Sequence, residues 1–197
     1  FEVYAKSLQE YFRNYEQTAG DWERHHSRMY PILDQYQRDG YGALLKIGGK
    51  FGGAFLCDGV GLGKTFVGLM LIERLVKFER KKVLLIVPKS GREPVWESAL
   101  RTYLPELFGV FSNLVVINHT DLQRGGEWVE RLQRIKDQAD VVVVDEAHHF
   151  RNPSTKKDTS RYWQMQDLAK DKQVFMLTAT PINNRLIDLQ HLPEHFT

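Results

Sequence analysis

The spacing of apolar positions changes character partway along this chain. In residues 1–30 they recur at helical intervals, as Val3, Leu8, Tyr11, Phe12 and Tyr15, which predicts one or two helices in an aromatic, charged flank. Pro31 is placed to start a further helix, with Ile32, Leu33, Tyr36, Tyr41, Leu44 and Leu45 along one side. Gly48, Gly49, Gly52 and Gly53 are expected to break that pattern. Beyond them, short runs that are apolar at every position alternate with helical stretches. The predicted strands are Ala54–Cys57, Val83–Val87, Leu114–Ile117, Val141–Val144 and Val174–Leu177. The predicted helices cover about 64–78, 94–103, 127–138 and 159–169. Strands without a polar face, separated by helices, predict an α/β fold: a mostly parallel sheet with helices on both faces. The organisation expected is a flank over residues 1–30 and one domain over residues 31–197.

Composition narrows this only a little. A chain of 197 residues suits one domain with a sizeable core, and 42% hydrophobic with 26% charged residues is globular rather than disordered. The formal charge of +2 is too small to announce a polyanion partner, so any such surface has to be local. The single cysteine, Cys57, excludes an internal disulfide and fits a reducing, cytoplasmic setting; its place on a predicted strand reads as a small buried hydrophobe. No apolar run approaches the roughly 20 residues that span a bilayer, so no membrane partner is expected. Residues 1–10 are amphipathic and lack the apolar core of a signal peptide. The chain starts at Phe1 and stops at Thr197 after a helical-looking stretch, so it is expected to be a piece of something longer.

The chemistry lies at strand ends. Asp58-Gly59-Val60-Gly61-Leu62-Gly63-Lys64-Thr65 joins a predicted strand to a predicted helix. Glycines let a loop turn its N–H groups inward on a phosphate chain, and the helix N-terminus adds partial positive charge. In such a loop Lys64 reaches the β- and γ-phosphates and the Thr65 hydroxyl binds Mg²⁺. The strict pattern has glycine where this chain has Asp58. Val141–Val144 then run into Asp145 and Glu146, at the strand end where parallel sheets bind ligands. Asp145 is suited to the Mg²⁺ shell and Glu146 to deprotonating an attacking water. Strand 174–177 ends in Thr178 and Thr180, which either bond to the acidic motif or cap the next helix. His148 is either a relay or a packed core histidine. His25–His26 and His148–His149 are adjacent pairs without a cysteine cluster, which excludes zinc. Trp96 is read as packing a helix onto the sheet.

These motifs, in this order over about Ile32 to Leu192, resemble the first RecA-like lobe of superfamily-two helicases, in the SWI/SNF-related branch. That branch opens its phosphate loop with aspartate, so Asp58 supports the resemblance. Asp145-Glu146-Ala147-His148 matches its second motif, and Thr178-Ala179-Thr180-Pro181 with Ile182-Asn183-Asn184 its third. Val87-Pro88-Lys89-Ser90 with Trp96 and Glu97 looks like motif Ia, and Gln37 falls where the family has its adenine-reading glutamine. His149-Phe150-Arg151-Asn152 departs from the basic run of eukaryotic remodellers and looks more like prokaryotic members, which are nucleoid-associated.

What the resemblance implies is an ATP- and Mg²⁺-dependent motor on double-stranded DNA, working with a second RecA-like lobe whose motifs this chain lacks. It implies that Asp58, Gly59, Gly61, Leu62, Gly63, Lys64 and Thr65 hold the nucleotide and that His148, Thr178 and Thr180 couple hydrolysis to lobe movement. It also sets Lys89, Ser90, Arg92 and the turn Asn118, His119, Thr120 against the DNA backbone; the plain reading of Lys89 and Arg92 is solvated charge. Two other functions stay open: a strand-separating helicase of the DEAH type, which the aspartate-led loop disfavours, and a nucleotide-gated binding module without turnover, which the intact Lys64, Thr65, Asp145 and Glu146 disfavour.

Overall fold

A computed structural model describes residues 20–57, 61, 63–109, 112–150 and 160–179. The helices expected before residue 20 lie outside the described residues. A short helix α1 (Asp21–His25) and a single 3₁₀ turn (Tyr30–Ile32) precede α2 (Gln35–Phe51). Then follow β1 (Gly53–Cys57), α3 (Lys64–Glu73) with a wider π-type turn (Arg74–Phe78), and β2 (Val83–Val87). A helical run comes next, made of α4 (Lys89–Gly91), a wide turn (Arg92–Glu97) and α5 (Ser98–Tyr103). The wide turn contains Pro94, which has no N–H to give to an α-helical ladder. The remainder is β3 (Leu114–Asn118), α6 (Trp128–Gln138), β4 (Val141–Asp145), α7 (Arg161–Ala169) and β5 (Gln173–Thr178).

All five predicted strands form, in one parallel sheet of order β1-β5-β4-β2-β3. Alternate side chains of a strand point to opposite faces, and here both faces are buried. Val83, Leu85, Val87, Val141, Val143, Phe175 and Leu177 enter one core with residues of α2, α3 and the 89–103 run. Leu84, Ile86, Val142, Val144, Val174 and Met176 enter the other, with Phe150, Met165 and Leu168. This α/β arrangement is the one expected from the sequence.

Two boundaries differ from expectation. Pro31 opens only the 3₁₀ turn, because Leu33 and Asp34 are extended; the long helix begins at Gln35, where Gln37 Oε1 accepts the Asp34 N–H at 3.0 Å. Gly48 and Gly49 do not break α2. Gly48 serves packing: a Cβ there would lie 2.6 Å from Cε1 of Phe175, so the bare backbone lets the ring sit against the helix. The helix ends one turn later, at Gly52, with φ 77°. Cys57, the last residue of β1, is exposed and not buried, although it still pairs with Thr178 of β5.

The segment ahead of α2 is fastened to the loop helix by buried charge. Glu73, on α3, is fully buried; its Oε2 accepts from Ser27 Oγ at 2.6 Å and from the Met29 N–H at 3.1 Å. Its Oε1 accepts from the Arg28 N–H at 2.9 Å and from Lys77 Nζ at 3.1 Å. Beside it, buried Glu23 accepts from Tyr41 Oη at 2.8 Å and pairs with Arg74. A charge is tolerated inside a protein only with this many partners. Replacement Glu73→Ala strands the Arg28 N–H, leaves the Met29 N–H only Ser27 Oγ and the Ser27 hydroxyl only Met70 Sδ, and removes the carboxylate partner of Lys77 on this helix. We expect it to lower the urea unfolding free energy by about 3 kcal/mol. Lys136→Ala, which breaks the surface pair with Asp167 at 2.5 Å, should cost less than about 1 kcal/mol. Equal midpoints for the two variants would contradict the staple.

Candidate functional site

The C-terminal ends of β1, β4 and β5 open together into a cleft of about 700 Å³. Its walls include Gly61, Gly63, Lys64 and Thr65 on one side and Asp145, Glu146 and Ala179 on another. The helical run after β2 closes a third side with Ser90, Pro94, Ala99 and Tyr103. Asp58, Gly59 and Leu62 lie outside the described residues, as do Thr180 and the Ile182-Asn183-Asn184 run.

Lys64 is the first residue of α3, and Gly63 caps it in the left-handed region with φ 76°. A side chain at Gly63 would be strained and would run into the Gln37 amide, so Gln37 and the loop need each other's shape. Gln37 is buried and also donates from Nε2 to Tyr36 Oη at 3.2 Å. The structure thus brings the expected adenine-reading residue to the phosphate loop.

Asp145 is gripped from three sides. Trp96 Nε1 donates to its Oδ2 at 2.7 Å, and the Glu146 N–H donates to its Oδ1 at 2.9 Å. His119 Nε2 lies 2.8 Å from its carbonyl oxygen, and since a carbonyl only accepts, that ring nitrogen carries the proton. Burial raises the Asp145 carboxyl above its ordinary pKa; the Trp96 N–H opposes this, the charge of Glu146 adds to it, and the Glu146 N–H and Lys64 oppose it.

Glu146 has φ 49°, a conformation uncommon for a residue with a side chain and one that concentrates at functional sites. His148 Nδ1 lies 3.1 Å from Glu146 Oε2 and 3.3 Å from Thr178 Oγ1. One ring nitrogen therefore faces both the acidic motif and the end of β5. Packing alone gives no reason for that aim.

The residues expected on DNA are not brought together as a group. Lys89 is exposed, while Ser90 lines the cleft. Arg92 Nε pairs with Glu97 Oε1 at 2.7 Å. Thr120 is exposed, but His119 is only 4% exposed, stacks edge-on against Phe150 with centroids 4.8 Å apart, and spends Nε2 on Asp145. The 3₁₀ turn after β3 folds the ring inward, under the acidic motif, and not out toward the place expected of it on a phosphate backbone. Two contacts to Asp145, from Trp96 and His119, are not legible in the sequence. Residue type and position give Trp96 a packing role, and its further role follows only from a general rule: a buried indole N–H has to find an acceptor. For His119 no local signal exists, because its partner lies on another strand.

Among the described residues no group of histidine, cysteine and carboxylate side chains is arranged to hold a metal by itself. Thr65 and Asp145 offer hard oxygen atoms on one cleft, a donor set that suits Mg²⁺ shared with a phosphate.

Burial lowers the pKa of His119 from 6.5 to about 4, the Asp145 carbonyl opposes this, and the charges of His149, Arg161 and His148 add to it. The unfolded chain takes up this proton near 6.5 and the folded one only near 4, so between them the unfolded state binds more protons. The stability from this group is complete above pH 6.5 and is lost as pH falls to 4. Across that window the protein should lose about 3 kcal/mol more unfolding free energy than His119→Gln does. Parallel pH profiles in urea titrations would refute this.

Residues 32–183 match the family described as type III restriction enzyme, res subunit. The chain is 34% identical over 154 residues to the uncharacterized ATP-dependent helicase YqhH of Bacillus subtilis (strain 168), covering 75% of this chain and 26% of that protein. It is similar to the Sulfolobus solfataricus SWI2/SNF2 ATPase core in complex with dsDNA, with TM-score 0.65, 25% identity, and coverage of 84% of this chain and 36% of that one. The Sulfolobus solfataricus SWI2/SNF2 ATPase core domain gives TM-score 0.61 at 23% identity, over 82% of this chain and 34% of that one, which speaks to fold. The chain therefore spans well under half the length of these relatives.

Proposed function

This chain belongs to the type III restriction enzyme res-subunit family of helicase-like ATPases, and on that premise we propose that it is the ATP-binding lobe of a motor that moves on double-stranded DNA. The carrying observation is the meeting of Lys64, Thr65, Asp145 and Glu146 on one cleft, with His148 joining Glu146 to Thr178. In this reading residues 31–197 form the lobe and residues 1–30 a flank, of which Glu23 and Ser27–Met29 are fastened to the loop helix. The protein works in the cytoplasm, where its DNA is. DNA as partner is supported by the dsDNA complex of the Sulfolobus solfataricus relative.

In the proposed reaction the N–H groups of the loop and the start of α3 hold the phosphates. Lys64 neutralises charge that develops on the β- and γ-oxygens. Thr65 and Asp145 would hold Mg²⁺, which when bound draws charge from the same oxygens. Glu146 takes the proton of the attacking water at its carboxylate. Gln37 selects adenine. The change at Glu146 passes through His148 Nδ1 to Thr178, and so to the segment that leads toward the second lobe.

A partner lobe has to supply the opposing arginines, which are worth about 10³–10⁵ in rate, so the lobe by itself should hydrolyse ATP at a correspondingly low rate. The test is steady-state ATP hydrolysis by the full-length protein with duplex DNA, single-stranded DNA or RNA, beside Glu146→Gln. Strong stimulation by the duplex, absent in the variant, is expected. Stimulation by single strands or RNA alone would favour an unwinding helicase. A response to none of them would favour a nucleotide-gated module controlled by a protein.

A further inference from the structure

Trp96 has no part in the reaction as just described, yet its surroundings are unusually specific. It is fully buried in the wide turn between α4 and α5. The far edge of its ring rests on the phosphate-loop helix at Gly68, where a Cβ would stand 2.6 Å from Trp96 Cη2 and 2.9 Å from Leu177 Cδ1. The near edge points Nε1 at Asp145 Oδ2, 2.7 Å away. Packing could be met by a phenylalanine; the aim of the N–H could not.

We propose that Trp96 is a positioning residue for the metal-binding carboxylate, its indole N–H fixing the rotation of the Asp145 side chain. The inference rests on the reading of Asp145 as the Mg²⁺ carboxylate. The terminal torsion of an aspartate is broad, so a carboxylate on its own swings between many orientations. One donor, the Glu146 N–H, comes from the next residue in the chain and moves with it. Trp96 comes from a separate element and supplies the fixed reference. An ionised carboxylate accepts about four hydrogen bonds, two at each oxygen. With Trp96 on Oδ2 and Glu146 on Oδ1, each oxygen keeps a second lone pair for the cleft that Asp145 lines. His119 meanwhile holds the carbonyl of the same residue, so backbone and side chain are secured by different parts of the fold.

The experiment measures the affinity of a fluorescent ATP analogue for the full-length protein, in chelator and across a Mg²⁺ titration. Wild type, Trp96→Phe, Gly68→Ala and Asp145→Asn are compared. Trp96→Phe should match wild type in chelator but lose about ten-fold of the affinity that Mg²⁺ adds, approaching Asp145→Asn. Gly68→Ala, which crowds the indole but keeps its N–H, should show the same selective loss; it decides the matter if thermal melting shows Trp96→Phe to be unfolded. If Asp145→Asn loses the Mg²⁺-dependent gain while Trp96→Phe and Gly68→Ala keep it, Trp96 only packs and the inference falls. If Asp145→Asn keeps the gain, the assignment of Asp145 itself is wrong and both fall together.

Discussion

A carboxylate taken out of water has to be supplied with donors, and the way Asp145 is supplied organises this molecule. Burial pushes its proton affinity up, and the donors around it push back. The groups that hold this residue come from far apart in the chain: Trp96, which donates to the carboxylate, follows β2; His119, which donates to the backbone carbonyl, follows β3; and Lys64, whose charge favours the ionised carboxylate, follows β1. Each lies beyond the C-terminal end of a strand that runs parallel to β4. The sheet order β1-β5-β4-β2-β3 is what lets those ends surround one residue.

That convergence depends on the sheet being buried on both sides. Val141–Val144 send alternate side chains into two different cores, so β4 is gripped above and below before it reaches Asp145. Leaving a rigid, doubly covered strand, the chain turns sharply at Glu146 into the left-handed region. Such a conformation survives only where neighbours enforce it. Here the neighbours include His148, which faces Glu146 and Thr178 with one nitrogen. The strained residue and the ring beside it thus connect the ends of β4 and β5.

The segment before α2 adds a second set of buried charges, on the opposite end of the loop helix. Glu73 and Arg74 tie Ser27–Met29 and Glu23 to α3, while Lys64 at the start of that helix faces the cleft. The helix is held at its far end by polar contacts and along its length by apolar ones, since Val67 and Leu69–Ile72 are all buried. Gly63 and Gln37 then lock its first turn to α2 by shape.

The sequence by itself determined the five strands, because runs such as Val83–Val87 have no polar face to offer solvent, and it singled out Lys64, Thr65, Asp145 and Glu146, which the fold brings to one cleft, because their residue types are set by local chemistry. It misplaced what depends on a distant neighbour. Gly48 looked like a helix breaker until Phe175 was seen to need its space. His119 looked like a surface turn residue until the 3₁₀ turn laid it under Asp145. Trp96 looked like bulk. In each case the deciding partner lies 26 or more residues away in the chain, where no periodicity or motif spacing reaches. Only packing brings such partners within hydrogen-bonding or contact range, so only the tertiary structure decides what those side chains do.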